Sequence, residues 1–158
     1  MESSMSAMSA NRSGTAAGTV CASAAAPLET RAITVRQGRL VIDVALPNPA
    51  LRYCTPALAD RLTGRFPDLP HHACVNGAGD TFAAVMQTTD LAHVLEHLTI
   101  SYLVREAEVD DACFTGTTEW TDEAAGLARI QVSFTDDLAA LRAYNQALAA
   151  LLEELACA

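Results

Sequence analysis

The stretch Asp90–Val104, which reads DLAHVLEHLTISYLV, constrains the fold of this chain more than any other part of the sequence. The preceding oxygen-bearing side chains of Thr88–Asp90 can cap the first turn of a helix. Ile100 and Val104 add apolar surface to a second side of that helix. The main apolar stripe recurs at helical spacing and consists of Leu91, Val94, Leu95, Leu98 and Tyr102. A helix that is apolar nearly all round is a buried one, so the sequence predicts a buried helix here.

Three side chains on this helix can carry chemistry: His93, Glu96 and His97. Positions i, i+3 and i+4 share one face of a helix, so both imidazoles can bind one metal ion with the carboxylate on the same side. The order H-x-x-E-H is the inverse of the commoner zinc-protease order. The alternative is a buried polar trio that hydrogen-bonds to itself and to the backbone. We expect His93 and His97 to be metal ligands and Glu96 to be the catalytic base.

A catalytic zinc ion has three protein ligands and one open position as a rule. The sequence leaves the third ligand open among His72, Cys74, Cys113, Glu119 and an acidic residue of the last helix. For His72 and Cys74 the alternative is an ordinary loop histidine and a buried cysteine. Zinc lowers the pKa of a bound water to about 7, and Glu96 would move its proton to a leaving amine. This chemistry predicts hydrolysis of an amide or isopeptide bond.

Composition limits the partners and the location of the chain. Its 158 residues suggest one domain, and its formal net charge is −9 at pH 7. Because phosphate binding needs an excess of Lys and Arg, we expect no nucleic-acid partner. The five cysteines are scattered and include no C-x-x-C pair, which favours a reduced, cytoplasmic chain. No apolar run is long enough to span a bilayer, so we expect no membrane association.

The N-terminal segment differs from the rest, because it is rich in Ala and Ser and has almost no large apolar side chain. Such a segment cannot bury enough surface to offset the entropy of ordering. We therefore expect residues 1–30 to be a disordered low-complexity tail and residues 31–158 to form a single domain. A signal peptide is the alternative, but Thr15–Ala26 lacks the large apolar residues of its central region, and Glu2 does not suit its basic start.

The segments before the central helix predict two strands, a helix and a loop. β-Branched runs predict strands at Ala32–Val35 and Leu40–Ala45, joined by a turn that contains Gly38. The Thr55-Pro56 pair predicts the start of a short helix that ends at Phe66. The following segment, residues 69–82, is rich in Gly, Asn and Asp and predicts a loop.

After the central helix we expect a strand at Ala112–Thr115, a long turn at Gly116–Gly126, a strand at Leu127–Phe134 and a helix at Leu138–Leu155. The expected core-facing stripe of the last helix consists of Leu138, Leu141, Leu148, Leu152 and Leu155. A broad apolar face of this kind would also permit a homodimer. The order β-β-α-α-β-β-α predicts an α+β fold, with an antiparallel sheet and helices packed on one face.

Several of these motifs together resemble the N-terminal domain of cyanophycin synthetases. The resemblance rests on the segment His72-Ala73-Cys74, the Gly-rich turn Gly77–Phe82 and the block His93–His97. Residues 114–119, followed by Gly126 and an alternating strand, resemble a further turn and strand of that domain. The similarity covers about residues 32–155, and its most specific part is the H-x-x-E-H block. It implies that this chain is such a domain standing alone.

In some members of that family the N-terminal domain is a metal-dependent hydrolase that cuts the polymer, and its fold resembles that of H-x-x-E-H metallohydrolases. The resemblance implies zinc held by His93 and His97, Glu96 as base, and a peptide or Arg-bearing polymer as substrate. This chain departs from the family pattern at Ser101, where a Glu is common, and near Glu119, where the family has an Arg. The alternative function is a non-catalytic binding or assembly module with the same fold.

Overall fold

The computed structural model describes residues 25–107, 109 and 112–157. Its helices and strands follow one another in the predicted order β-β-α-α-β-β-α. They are β1 (Glu29–Arg36), β2 (Arg39–Ala45), α1 (Pro56–Arg65), α2 (Leu91–Glu106), β3 (Gly116–Asp122), β4 (Leu127–Ser133) and α3 (Asp137–Ala156). The predicted α+β fold is therefore confirmed.

The four strands form one antiparallel sheet with the order β1-β2-β4-β3. The central pair, β2 and β4, is in register at Ile42 and Ile130, and both side chains are fully buried. The opposite face is polar and more accessible, and there Arg129 pairs with Asp43 at 2.8 Å. Because α2 contacts β3 and β4 while α3 contacts β2, the helices pack on one face of the sheet, as predicted.

The third strand lies later in the chain than the sequence indicated. The prediction of a strand at Ala112–Thr115 was wrong, because these residues are irregular and β3 is formed by Gly116–Asp122, inside the segment predicted as a turn. The real turn is confined to residues 123–126. The strand was missed because an edge strand can be polar: Thr117 and Glu119 are exposed, while Trp120 faces the helices and is half-buried.

The first strand begins slightly earlier than the sequence indicated. Strand β1 begins at Glu29, and Leu28 is buried in the core, whereas the domain was expected to begin at residue 31. The first 24 residues of the predicted tail lie outside the described part of the chain.

Among the described cysteines, Cys54, Cys74, Cys113 and Cys157 are free thiols. In the described residues no helix has the length and apolar character needed to cross a membrane.

The core-facing stripe of α3 is built from alanines rather than from the predicted leucines. Leu138 is 61% exposed, and Leu141, Leu148 and Leu155 are only partly buried at the edge of the core. The residues that α3 buries fully are Ala140, Ala143, Tyr144, Ala147, Ala150 and Leu151. Small side chains let α3 approach α2 closely, which moves the leucines to the flanks of the contact.

This corrected stripe can be tested by one chemical change at two positions. Leu151→Ala should lower the free energy of unfolding by about 2–5 kcal/mol, because it leaves a cavity in the core. Leu138→Ala makes the same change at an exposed position and should alter it by less than about 0.5 kcal/mol. Urea denaturation of the two variants measures the difference, and equal losses would contradict the structure.

Candidate metal centre

The helix α2 is fixed at its start by contacts from two loops. Asp90 caps it, since its side chain accepts a hydrogen bond from the His93 N–H at 2.8 Å. The N–H of Leu91 donates to the carbonyl of Arg52 at 2.8 Å. Most of the helix is buried, including Glu96 and His97 at 4% and 3% exposure. The predicted buried helix is thus present, and its polar side chains lie within the packed interior.

His93 presents one ring nitrogen to a cysteine. Its Nδ1 is hydrogen-bonded to the Thr89 hydroxyl at 2.8 Å, one helical turn back along the chain. Its Nε2 lies 3.5 Å from the Sγ of Cys74. Burial lowers the pKa of His93, and the Asp90 carboxylate partly opposes this shift. The ring is therefore held by Thr89 with its other nitrogen directed at a thiol.

Cys74 is positioned by a tight loop that folds back on itself. Ala73 and Thr81 form an isolated antiparallel bridge, and the Cys74 N–H donates to the Asp80 carbonyl at 3.0 Å. The Asn76 side chain closes the loop, because its amide donates to the Cys74 carbonyl at 3.0 Å and its oxygen accepts from two backbone N–H groups. These bonds hold the thiol beside α2.

His97 is enclosed by aromatic rings. Phe82 stacks on it with ring centroids 3.9 Å apart and planes inclined by 21°. Its Nδ1 lies 3.2 Å from the Nδ1 of His72, and the His93 ring is 4.9 Å away between centroids. Burial, followed by the charges of His93 and His72, lowers the pKa of His97 to about 3. His97 is therefore a neutral imidazole at physiological pH, the form that can bind a metal.

Cys74, His93 and His97 form a group that could hold a metal ion, because their ligand atoms all lie within 4.8 Å of one another. Zinc bonds of 2.0–2.3 Å in a tetrahedron put ligand atoms about 3.3–3.6 Å apart, and the Cys74–His93 separation of 3.5 Å matches this spacing. One sulfur and two nitrogens suit zinc, whereas Mg²⁺ and Ca²⁺ prefer oxygen ligands. The residues present therefore fit a zinc ion.

Glu96 lies against the first residues of β3. Its Oε2 accepts a hydrogen bond from the Thr118 hydroxyl at 2.6 Å, and its carboxyl group touches the backbone of Gly116, where a Cβ would overlap it. Burial raises the pKa of Glu96 to about 7, while the Thr118 hydrogen bond lowers it and the Asp90 charge raises it further. A buried carboxyl group with this pKa can exchange a proton near neutral pH.

All four of these side chains line one cleft of about 550 Å³. Its walls are the loop around Cys74 and the segment Cys113–Thr118, which leads into and forms the start of β3. The cleft therefore brings a thiol, two imidazoles and a carboxyl group to one surface depression that a small part of a substrate can enter.

The other residues that the sequence predicted for the site, His72, Cys113 and Glu119, lie outside the group of Cys74, His93 and His97. His72 contacts His97 rather than joining the three ligand atoms, and it also lies 3.3 Å from Asp68 and from Ser101. Cys113, another candidate third ligand, lines the cleft and is exposed, but it is not part of the group of three ligand atoms. Glu119 is exposed on β3, on the side that faces away from the helices.

Four residues of the site were missed from the sequence. Thr89 was noticed only as a cap, although its place four residues before His93 is a usable signal. Thr118 fell in the predicted turn, and Phe82 and Asp68 are ordinary loop residues in the sequence. Hydrogen bonds from Ser101 and Arg105 lower the pKa of Asp68 against the effect of burial. Burial in turn lowers the pKa of His72, although Asp68 opposes it.

The fold and the site define an α+β domain with a buried Cys–His–His group beside a cleft. The model of the cyanophycin synthase-like N-terminal domain family matches residues 39–156, which is well over half of the chain. The chain belongs to this family. No curated protein and no solved structure matches it.

Replacing Cys74 tests the ligand set. Cys74→Ala should weaken zinc binding by more than about 100-fold, because loss of a ligand exceeds the 10–100-fold cost of losing a supporting residue. Cys113→Ala removes the other thiol of the cleft and should leave affinity unchanged. Competition with a chromophoric chelator measures both values. Equal affinity of the Cys74 variant and the unaltered chain would exclude this thiol as a ligand.

Proposed function

We propose that this chain is a zinc-dependent hydrolase that cleaves an amide or isopeptide bond. Cys74, His93 and His97 would hold the ion, and Glu96 would act as the catalytic base. The observation that carries the proposal is the convergence of the three ligand atoms within 4.8 Å in a cleft that Glu96 also lines.

The number of ligands supports catalysis over a purely structural role. Structural zinc sites are closed by four protein ligands, whereas catalytic sites use three and keep one position open. Three ligand residues converge here, beside an open cleft. When bound, zinc supplies Lewis acidity that polarises a carbonyl and activates water. The chemistry of the donors and the access to solvent therefore both suit a catalytic ion.

The roles of the chain's own residues follow from their contacts. Glu96 would take the proton of an attacking water and return it to the leaving nitrogen. Thr118 would hold one oxygen of Glu96 through its 2.6 Å hydrogen bond, so that the other oxygen is the one that carries the proton. Thr89 would keep the His93 ring turned toward the ion.

For the substrate we propose a peptide or an Arg-bearing polymer with the amide or isopeptide linkages of cyanophycin. The family name supports this class, and the net charge of −9 supports a basic substrate over an acidic one such as nucleic acid. We further propose a reducing, cytoplasmic location without membrane association, since a Cys ligand must stay reduced to bind a metal as the thiolate. A homodimer is proposed as the assembly, with the partly buried Leu141, Leu148 and Leu155 of α3 at the interface.

The second candidate is a non-catalytic binding module. It is favoured by one observation: the Glu96 carboxyl group is already packed against Gly116 and bonded to Thr118, as a purely structural carboxyl group would be. In that case the domain would bind the polymer and leave it intact. The two candidates differ in whether the unaltered chain cleaves the polymer and, if it does, in whether cleavage depends on Glu96.

Glu96→Gln separates the candidates. It should reduce turnover to background while zinc stays bound, because the amide keeps the shape of the side chain and cannot accept the proton. The assay incubates zinc-loaded protein with cyanophycin and with arginine-containing peptides and measures newly released amines. Glu119→Gln, on the exposed side of β3, is the matched control and should keep full activity. Unchanged turnover of the Glu96 variant would reject Glu96 as the base, and no turnover in the unaltered chain would reject the hydrolase.

Gly116→Ala tests the position of Glu96 rather than its charge. A Cβ at residue 116 overlaps the Glu96 carboxyl group, which must then move away from its present place. Turnover should fall by at least about tenfold, as expected when a supporting residue is lost, while zinc affinity stays within error. Gly64→Ala makes the same change in α1, where no atom lies within 4 Å of the added Cβ, and should have no effect on turnover. Full activity of the Gly116 variant would show that this contact is irrelevant to turnover.

A further inference from the structure

A line of hydrogen-bonded side chains leads from the protein surface to His97. Arg105 donates to Oδ1 of Asp68 at 3.0 Å, and Ser101 donates to Oδ2 of Asp68 at 2.9 Å. His72 places its Nε2 3.3 Å from the same Oδ2 and its Nδ1 3.2 Å from Nδ1 of His97. Asp68 is half exposed and Ser101 is fully buried. The line ends at His97, one of the three residues that could hold a metal ion.

The direction of every proton along this line is fixed by its outer end. Arg105 can only donate, and Asp68 as a carboxylate can only accept. His72 must therefore carry a proton on Nε2 and donate it to Asp68. A neutral imidazole has one N–H, so Nδ1 of His72 is an acceptor and the proton between the two rings belongs to Nδ1 of His97. Nε2 of His97 is left bare.

The bare nitrogen is the one that a metal requires. A histidine that binds through Nε2 as a rule donates its other N–H to a fixed partner, which sets the tautomer and the ring orientation. Phe82 already fixes the plane of the His97 ring by stacking on it, so the ring could still rotate only within this plane and exchange its two edges. The hydrogen bond with His72 prevents this exchange. Thr89 has the same relation to His93, whose Nε2 faces Cys74.

We propose that His72 and Asp68 are positioning residues that set the tautomer of His97 and keep its Nε2 free for the metal ion. Ser101 holds the Asp68 carboxylate in place. This inference rests on the proposed function for the identity of the ion, but the tautomer is a property of the metal-free chain and can be measured without zinc or activity.

The first test is the position of the proton. Long-range ¹H–¹⁵N correlation spectra of the metal-free full chain should show His97 protonated on Nδ1. In Asp68→Asn the new side-chain oxygen stays with Arg105, which needs an acceptor, so the amide N–H₂ faces His72. The protons along the line then reverse, and His97 should carry its proton on Nε2. A proton on Nε2 in the unaltered chain, or no change in the variant, would overturn the proposal.

The second test is zinc affinity. Asp68→Asn should weaken it by roughly 10–100-fold, as other supporting residues of metal sites do. Asp60→Asn, which removes an exposed carboxylate of α1, is the matched control and should have no effect. His72→Leu should weaken binding by a similar factor, whereas His72→Asn keeps an oxygen where Nδ1 was and should stay within about threefold of the unaltered chain.

If both His72 variants lost zinc affinity equally while the Asp68 variant kept the affinity of the unaltered chain, His72 would be a ligand. This result would overturn its positioning role. A chain that binds zinc with the expected tautomer and cleaves nothing would refute the proposed hydrolase and leave this inference intact. The two failures are therefore distinguishable.

Discussion

The site depends on the burial of α2 between the sheet and α3. None of its residues from Leu91 to Leu103 is exposed, yet this stretch carries two histidines, a glutamate, a threonine and a serine. An unsatisfied buried polar group costs about 1–3 kcal/mol, so each needs a hydrogen-bond partner. Thr99 donates to the Leu95 carbonyl of the same helix, and the others take their partners from neighbouring elements. Among the described residues, the buried side-chain atom that lacks such a partner is Arg61 Nε on α1, and none is on α2. The polar network is thus a condition for burying the helix.

The hydrogen-bond partners that neighbouring elements provide to the buried polar side chains lie on strand β3 and on the loop between α1 and α2, and they form two separate networks. Strand β3 provides the Thr118 hydroxyl and the backbone of Gly116, which together fix Glu96. The loop between α1 and α2 provides Asp68, His72, Cys74 and Thr89, which contact the histidines and Ser101. The ligand group is therefore completed by a loop, whereas the candidate base is held by the sheet. A movement of the loop would change metal binding without displacing Glu96.

The sequence was sufficient for the fold class and for the helix with its H-x-x-E-H block, because a long apolar run that follows an Asp cap is a specific sign of a buried helix. It was not sufficient for β3 or for the contact face of α3. The first is an edge strand whose outer side chains are polar, and the second uses alanines, which carry little hydrophobic signal. The sequence also did not decide which of several residues is the candidate third ligand. Which one lies near His93 depends on how the loop folds back through Asn76 and the Ala73–Thr81 bridge, and no local periodicity encodes that closure.

The loop between α1 and α2 gives a physical reason for the serine at position 101, where the family resemblance predicts a glutamate. The family resemblance leads one to expect a glutamate at this place on the helix, and its absence weakens a simple transfer of the site. Here a carboxylate does lie beside residue 101, since Asp68 accepts a hydrogen bond from the Ser101 hydroxyl at 2.9 Å. Two carboxylates at that distance would repel each other, and one would have to be protonated. The loop aspartate therefore disfavours a second carboxylate at position 101 of the helix. In this chain the carboxylate comes from the loop, and it is connected to the Cys–His–His group through His72.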